Sequence, residues 1–247
     1  MKKVMLFLGV CLTAALMLVS CGKNNDPKPN PDNGKENGGE TPEEETDLIV
    51  IDGDFADWNG APKVAETFLP DGCTKVSVLA LKVTSDADKI YIYFEQELEE
   101  GQAVSPFDFF LNTDGKDETG ASTYLWEEAG WDYLIESELG LLASATAVRD
   151  MDDMAIYHFV GPDGEDGWAD PSYQTRTDDS GFATSAGVVQ NGIAKVELSV
   201  LRSVFPEMAK KIKVGILLYE GDSWTDNGVL PQGEDAAIVP MMEVTLE

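Results

Sequence analysis

The chain has 247 residues, with 46 acidic and 17 basic side chains and a formal net charge of −29 at pH 7. Residues 47–247 alone hold 39 acids against 12 bases, a surface that repels phosphate backbones and anionic polysaccharides and argues against nucleic acid as a partner. Such a surface stays soluble and can hold divalent cations, with a heavily solvated acidic exterior as the plainer explanation.

The N-terminus reads Met1-Lys2-Lys3, then runs apolar from Val4 to Val19, broken only by Gly9 and Thr13, and closes on Leu18-Val19-Ser20-Cys21. Sixteen residues rising about 1.5 Å each fall short of the roughly 30 Å hydrocarbon core, and a small residue precedes the cysteine. Residues 1–20 therefore read as a removable signal of lipoprotein type, with an ordinary signal peptide or a short uncleaved anchor as the alternative. The spacing resembles that of bacterial lipoproteins, which implies that Cys21 is acylated, becomes the mature N-terminus and holds the chain on the outer membrane. Residues 22–46 carry no apolar side chain beyond their prolines and cannot bury a core, so 21–46 reads as a lipidated cysteine followed by a disordered tether. In Bacteroidota-type lipoproteins acidic residues directly after the cysteine accompany surface display. Gly22-Lys23-Asn24-Asn25 departs from that pattern, which leaves both the periplasmic and the surface face open.

From Asp47 onward the length suits one domain, 47–247, with a sizeable core. Of three cysteines, Cys11 leaves with the signal and Cys21 is the acylation site, so Cys73 has no partner for an internal bridge and the domain rests on hydrophobic packing. Segments rich in β-branched and aromatic residues predict strands at 48–51, 74–83, 89–95, 107–112, 131–136, 141–148, 154–160, 181–189, 193–200, 211–219 and 241–246. Asn191-Gly192 stands where a type I′ hairpin turn wants it. Helical signal is confined to short stretches at 54–58, 124–129 and 200–210, the last cut by Pro206. Eleven strands with little helix predict an all-β fold, an antiparallel β-sandwich of jelly-roll type with short helical turns. His158, in the apolar run Ala155-Ile156-Tyr157-His158-Phe159, reads as a strand residue, and Cys73 as a small buried hydrophobe.

Three stretches carry a further resemblance. Ile51-Asp52-Gly53-Asp54-Phe55-Ala56-Asp57-Trp58 with Ala61-Pro62, then Asn112-Thr113-Asp114-Gly115 through Thr119-Gly120 to Gly130-Trp131-Asp132-Tyr133-Leu134-Ile135-Glu136, then Gly192–Val200 with Gly215-Ile216 and Asp222-Ser223-Trp224, occur in this order. Together they resemble the family-nine carbohydrate-binding modules and their DOMON-like relatives. The resemblance implies a sandwich that binds glycan between aromatic faces and cleaves nothing. Trp58 is expected in the core. Among the loop tryptophans, Trp126 and Trp224 are the first candidates for a sugar platform, Trp131 is next and Trp168 last, with packing under a loop as the alternative for each. Asn112, Asp114, Asp117 and Glu118 form an oxygen-rich loop that fails the EF-hand pattern and is a candidate calcium site, with a plain Asp-Gly turn as the alternative. No P-loop, dinucleotide fingerprint, His-Glu-x-x-His or Gly-x-Ser-x-Gly occurs, so no enzyme is expected. The expected function is glycan binding at the envelope, alongside a polysaccharide-uptake system. A scaffold that binds envelope protein partners through the same sandwich is the alternative.

Overall fold

In the computed structural model, thirteen strands among the described residues pair, every pair antiparallel, into two sheets. The structure describes residues 47–71, 73, 78–100, 102–137, 146–150, 155–177, 183–220 and 225–247, with the backbone alone at 146–150 and 183–185. All belong to the unit Glu45–Glu247. Cys21, the signal and the tether lie outside the described residues, as does Trp224.

Sheet one orders β1 (Ala65–Phe68), β2 (Val78–Ser85), β3 (Lys89–Glu97), β10 (Ile193–Leu201), β9 (Ala183–Gln190) and β6 (Thr146–Asp150) side by side. Sheet two orders β12 (Asp226–Leu230), β11 (Lys211–Tyr219), β4 (Phe107–Asn112), β5 (Tyr133–Ser137), β7 (Ala155–Phe159) and β8 (Gln174–Thr177), with β13 (Met242–Thr245) also on β11. Alternation along each strand sends every second side chain between the sheets. Phe107, Phe109 and Leu111 of β4 and Ile216 and Leu218 of β11 meet Leu81, Val83, Ile92, Phe94, Val196 and Leu198 of sheet one in the main core. The fold is the expected all-β sandwich.

Several elements differ in detail from the sequence reading. Strands 107–112 and 211–219 match residue for residue. The β9–β10 hairpin closes on Asn191-Gly192, both at positive φ, with Gln190 opposite Ile193, the geometry a type I′ turn requires. Residues 48–51 form no strand. They cross over sheet one, and their backbone bonds go to side chains instead, the Val50 N–H to Asp57 at 2.8 Å. β1, β8 and β12 were not foreseen, being short and polar. The helical stretches shrink to single 3-10 turns at Asp57–Asn59 and Arg202–Val204, and none forms at 124–129. No helix among the described residues is long and apolar enough to cross a membrane.

Candidate functional site

Both sheets carry a roof on their outward faces. On sheet one, residues 48–64 lie over Tyr91 and Tyr93 of β3, with Ile49 and Trp58 sealed beneath. Glu197 of β10 fastens this roof. One carboxylate oxygen accepts the N–H groups of Asp52 (3.0 Å) and Gly53 (2.8 Å), and the other accepts the Trp58 indole N–H (2.9 Å). Trp58 is therefore core, as expected.

On sheet two the roof is the segment 113–132. Trp126 packs edge-on against Phe110 of β4 at 5.2 Å between centroids and donates its indole N–H to the Pro231 carbonyl at 2.9 Å. A Cβ on Gly215 of β11 would run into the Trp126 ring, so the bare glycine is the seat of this indole. Trp131 lies between Phe110 (5.7 Å) and Phe159 (5.6 Å), and Gly167 leaves room for its ring in the same way. Trp126 is 3% and Trp131 0% exposed. The sugar platform expected of these two is corrected here: their rings are spent on the roof, because the outer face of sheet two is itself apolar at Phe110, Leu134 and Leu217 and must be covered.

The roof stops short of Asp108. Here a cleft of about 340 Å³ opens, lined among the described residues by Asp108 of β4, Glu136 of β5, Tyr219 of β11, Asp226 of β12 and, from the loops, Tyr124 and Trp168. Register brings the sheet residues together, since Asp108 stands opposite Glu136 and Tyr219 opposite Asp226. Tyr124 is 69% and Trp168 48% exposed, two large rings left open to solvent. Trp168 is nevertheless fixed. Its N–H donates to Asp166 Oδ1 at 2.9 Å, its indole leans on Trp131 at 6.2 Å, and its loop is laced to the roof by Gly164 N–H to Gly120 O and Ser122 N–H to Glu165 O, each 2.9 Å.

The electrostatics of the cleft centre on Asp108, which is 1% exposed. Its Oδ2 accepts the Tyr219 hydroxyl at 2.5 Å, while Oδ1 has no hydrogen-bond partner. Burial pushes its carboxyl up to about 7; the Tyr219 bond opposes the rise, and the charges of Glu136 and Asp226 add to it. The Tyr219 phenol is driven upward by burial and by Asp108. The Tyr124 hydroxyl donates to Asp226 Oδ2 at 2.7 Å, and burial and that bond raise the phenol to about 12. The arrangement offers apolar ring faces beside hydrogen-bond acceptors.

The oxygen-rich loop does something else. Asp114 accepts the Lys116 N–H (2.8 Å), the Lys116 ammonium (3.0 Å) and the Thr119 hydroxyl (2.9 Å). Asp117 is paired with Lys213, Glu118 is exposed, and the Asn112 amide donates to the Lys116 carbonyl at 2.8 Å. Among the described residues no three acidic, histidine or cysteine side chains group so as to hold a metal ion. Asn112, Asp114, Asp117 and Glu118 thus do not fit calcium as a set, because lysines already supply the countercharge. The loop is held instead by Asp132, whose Oδ2 accepts the Thr113 N–H (2.6 Å), the Thr113 hydroxyl (2.8 Å) and the Asp114 N–H (3.2 Å). His158 stacks on Tyr133 at 4.5 Å, and Cys73 is half-buried with its thiol 3.8 Å from the Gly233 carbonyl.

Of the residues at the cleft, the sequence reading named only Trp168, and ranked it last. It missed Tyr124, Asp108, Glu136, Tyr219 and Asp226. One signal was available: Phe107-Asp108-Phe109-Phe110-Leu111 is apolar at both parities, so both faces of the strand are covered and the single charge within it is buried and calls for a partner.

No known family model matches the sequence, and no curated protein matches it. Solved structures similar to the chain include a family 9 carbohydrate binding module from Caldicellulosiruptor kristjanssonii in complex with glucose, at 12% identity over 81% of this chain and 91% of that one, with a TM-score of 0.42. A family 9 module from the same organism in complex with cellotriose aligns at 11% identity over 81% and 89%, with a TM-score of 0.39.

Proposed function

We propose that the chain is a non-catalytic carbohydrate-binding module, anchored to the outer membrane through an acylated Cys21, with residues 22–46 as its tether and a polysaccharide-uptake system as its setting. The observation that carries this reading is the exposed pair Tyr124 and Trp168 beside Asp108, Glu136 and Asp226 in one cleft. An aromatic face receives the C–H side of a pyranose while carboxylates accept its hydroxyls, and most of a single ring fits a cleft of this size. The rigidity of Trp168, backed by Trp131 and its laced loop, lowers the ordering cost of binding.

Isothermal titration tests the reading, with glucose and cellotriose heading a panel of gluco-, manno-, galacto- and xylo-configured oligosaccharides. Trp168→Ala and Tyr124→Ala are each expected to weaken binding at least tenfold with little change in melting temperature. Flat titrations across the panel, or affinity indifferent to both substitutions, would overturn it. The anchor is tested separately: Cys21→Ser should move the protein from the membrane to the soluble fraction.

A further inference from the structure

The cleft holds one feature that a site for neutral sugars does not need. Asp108 is a carboxylate buried to 1% exposure with Oδ1 unpartnered, and it lies at the floor between the charges of Glu136 and Asp226. No lysine or arginine is among the described residues that line the cleft. A buried carboxylate left half-satisfied is costly, and native proteins keep such groups where a partner arrives from outside. A bare metal ion is a poor candidate, since no group of three carboxylates close enough to hold one occurs among the described residues. A larger cation that donates directed hydrogen bonds and travels on an apolar ring suits the geometry better. Its C–H face stacks on Trp168 or Tyr124 while its charge meets the carboxylates, and an ammonium near an indole or phenol face gains cation–π attraction as well.

We infer that the cleft selects a sugar bearing a free, protonated amine, a hexosamine unit, with its ammonium seated over Asp108. The inference rests on the carbohydrate-binding reading above and narrows it to a ligand class. Rotation of the Asp108 carboxylate about its terminal torsion, which is broad for sp³–sp² bonds, turns an oxygen toward the ammonium. A uronic or sulfated sugar is disfavoured by the same charges.

Titration with methyl glucosaminide, methyl glucoside, methyl N-acetylglucosaminide and methyl glucuronide at fixed ionic strength and pH 7.5, where Asp108 is mainly ionised, tests this. The glucosaminide is expected to bind about tenfold tighter than the glucoside, the N-acetyl form to lose that advantage, and the glucuronide to bind weakest. Asp108→Asn, isosteric and still able to accept from Tyr219, is expected to bring the glucosaminide down to the level of the glucoside. Equal binding of glucosaminide, glucoside and N-acetylglucosaminide overturns the amine preference and leaves the carbohydrate reading standing. Absence of binding by any of the four, with the oligosaccharide panel also flat, is the failure of the carbohydrate reading itself. Nα-acetyl-lysine amide binding as tightly as the glucosaminide overturns the sugar half of the inference in favour of a protein lysine. The ligand-side comparisons need no variant, so the test survives if Asp108→Asn folds poorly.

Discussion

Each sheet of the sandwich carries a buried carboxylate on its outward face, and the two are treated in opposite ways. Glu197 on sheet one is fully buried, and its two oxygens receive three N–H donors from the roof above it. Asp108 on sheet two is as deeply buried, yet it receives one hydroxyl and keeps one oxygen unpartnered under an open cleft. Burial raises both carboxyls; what differs is whether the protein itself supplies the compensation. A satisfied buried carboxylate is a clamp, and an incompletely satisfied one beside exposed aromatic rings is, under the function proposed above, the group that meets the ligand.

The sharpest way to break the contrast is to remove the clamp. Glu197→Ala leaves the buried Trp58 indole N–H and two part-buried backbone N–H groups without their acceptor and is expected to cost about 3–5 kcal/mol. Chemical denaturation measures that loss. Sugar affinity of the remaining folded protein should hold, since the cleft lies on the other sheet.

Asp108 should behave in the reverse sense, and pH reveals it. Its folded pKa is about 7, above the roughly 3.9 of an unfolded aspartate. The folded state therefore binds the proton more tightly, and the contribution to stability is complete below about pH 4 and lost as pH rises toward and through 7. Asp108→Asn removes this dependence. Relative to wild type, the variant should gain on the order of a few kcal/mol in stability between pH 4 and pH 8, read from parallel denaturation series. A constant difference across that range would mean that Asp108 is compensated after all, and the two faces would be alike.

The roof of sheet two is tested at its seat. Gly215→Ala forces a methyl into the Trp126 ring and is expected to destabilise by about 1–3 kcal/mol, as overpacking does. The indole fluorescence should shift to the red as Trp126 is pushed toward water.

These residues also explain what could be read from the sequence. The stretches that suggested the fold are its clamps: Asp52, Gly53 and Trp58 of the first meet Glu197 of the third, and Thr113, Asp114 and Asp132 of the second tie one loop. Clamps are local patterns of turn residues and carboxylates, so the sandwich and the hairpin at Asn191-Gly192 were legible. The cleft is not local. Asp108, Glu136, Tyr219 and Asp226 come from four strands and meet only through register, which one-dimensional alternation does not specify. Loop tryptophans all look alike in sequence; the glycines at 215 and 167 bury Trp126 and Trp131, while Trp168 has a tryptophan behind it and solvent in front.

The smallest expected effect on stability is also the finest probe of the open face. Tyr124→Phe keeps the ring and removes the hydroxyl that donates to Asp226 at 2.7 Å. An exposed bond of this kind contributes little to folding, so the shift should stay within about 0.5 kcal/mol. Binding is another matter, because the phenol holds the Asp226 carboxylate, and both residues line the cleft. A loss of a few-fold in sugar affinity with unchanged melting temperature would place Tyr124 and Asp226 together in recognition. An unchanged affinity would assign Tyr124 to stacking alone and leave Asp108 and Glu136 as the acceptors, sharpening the contrast between the two buried carboxylates to Asp108 itself.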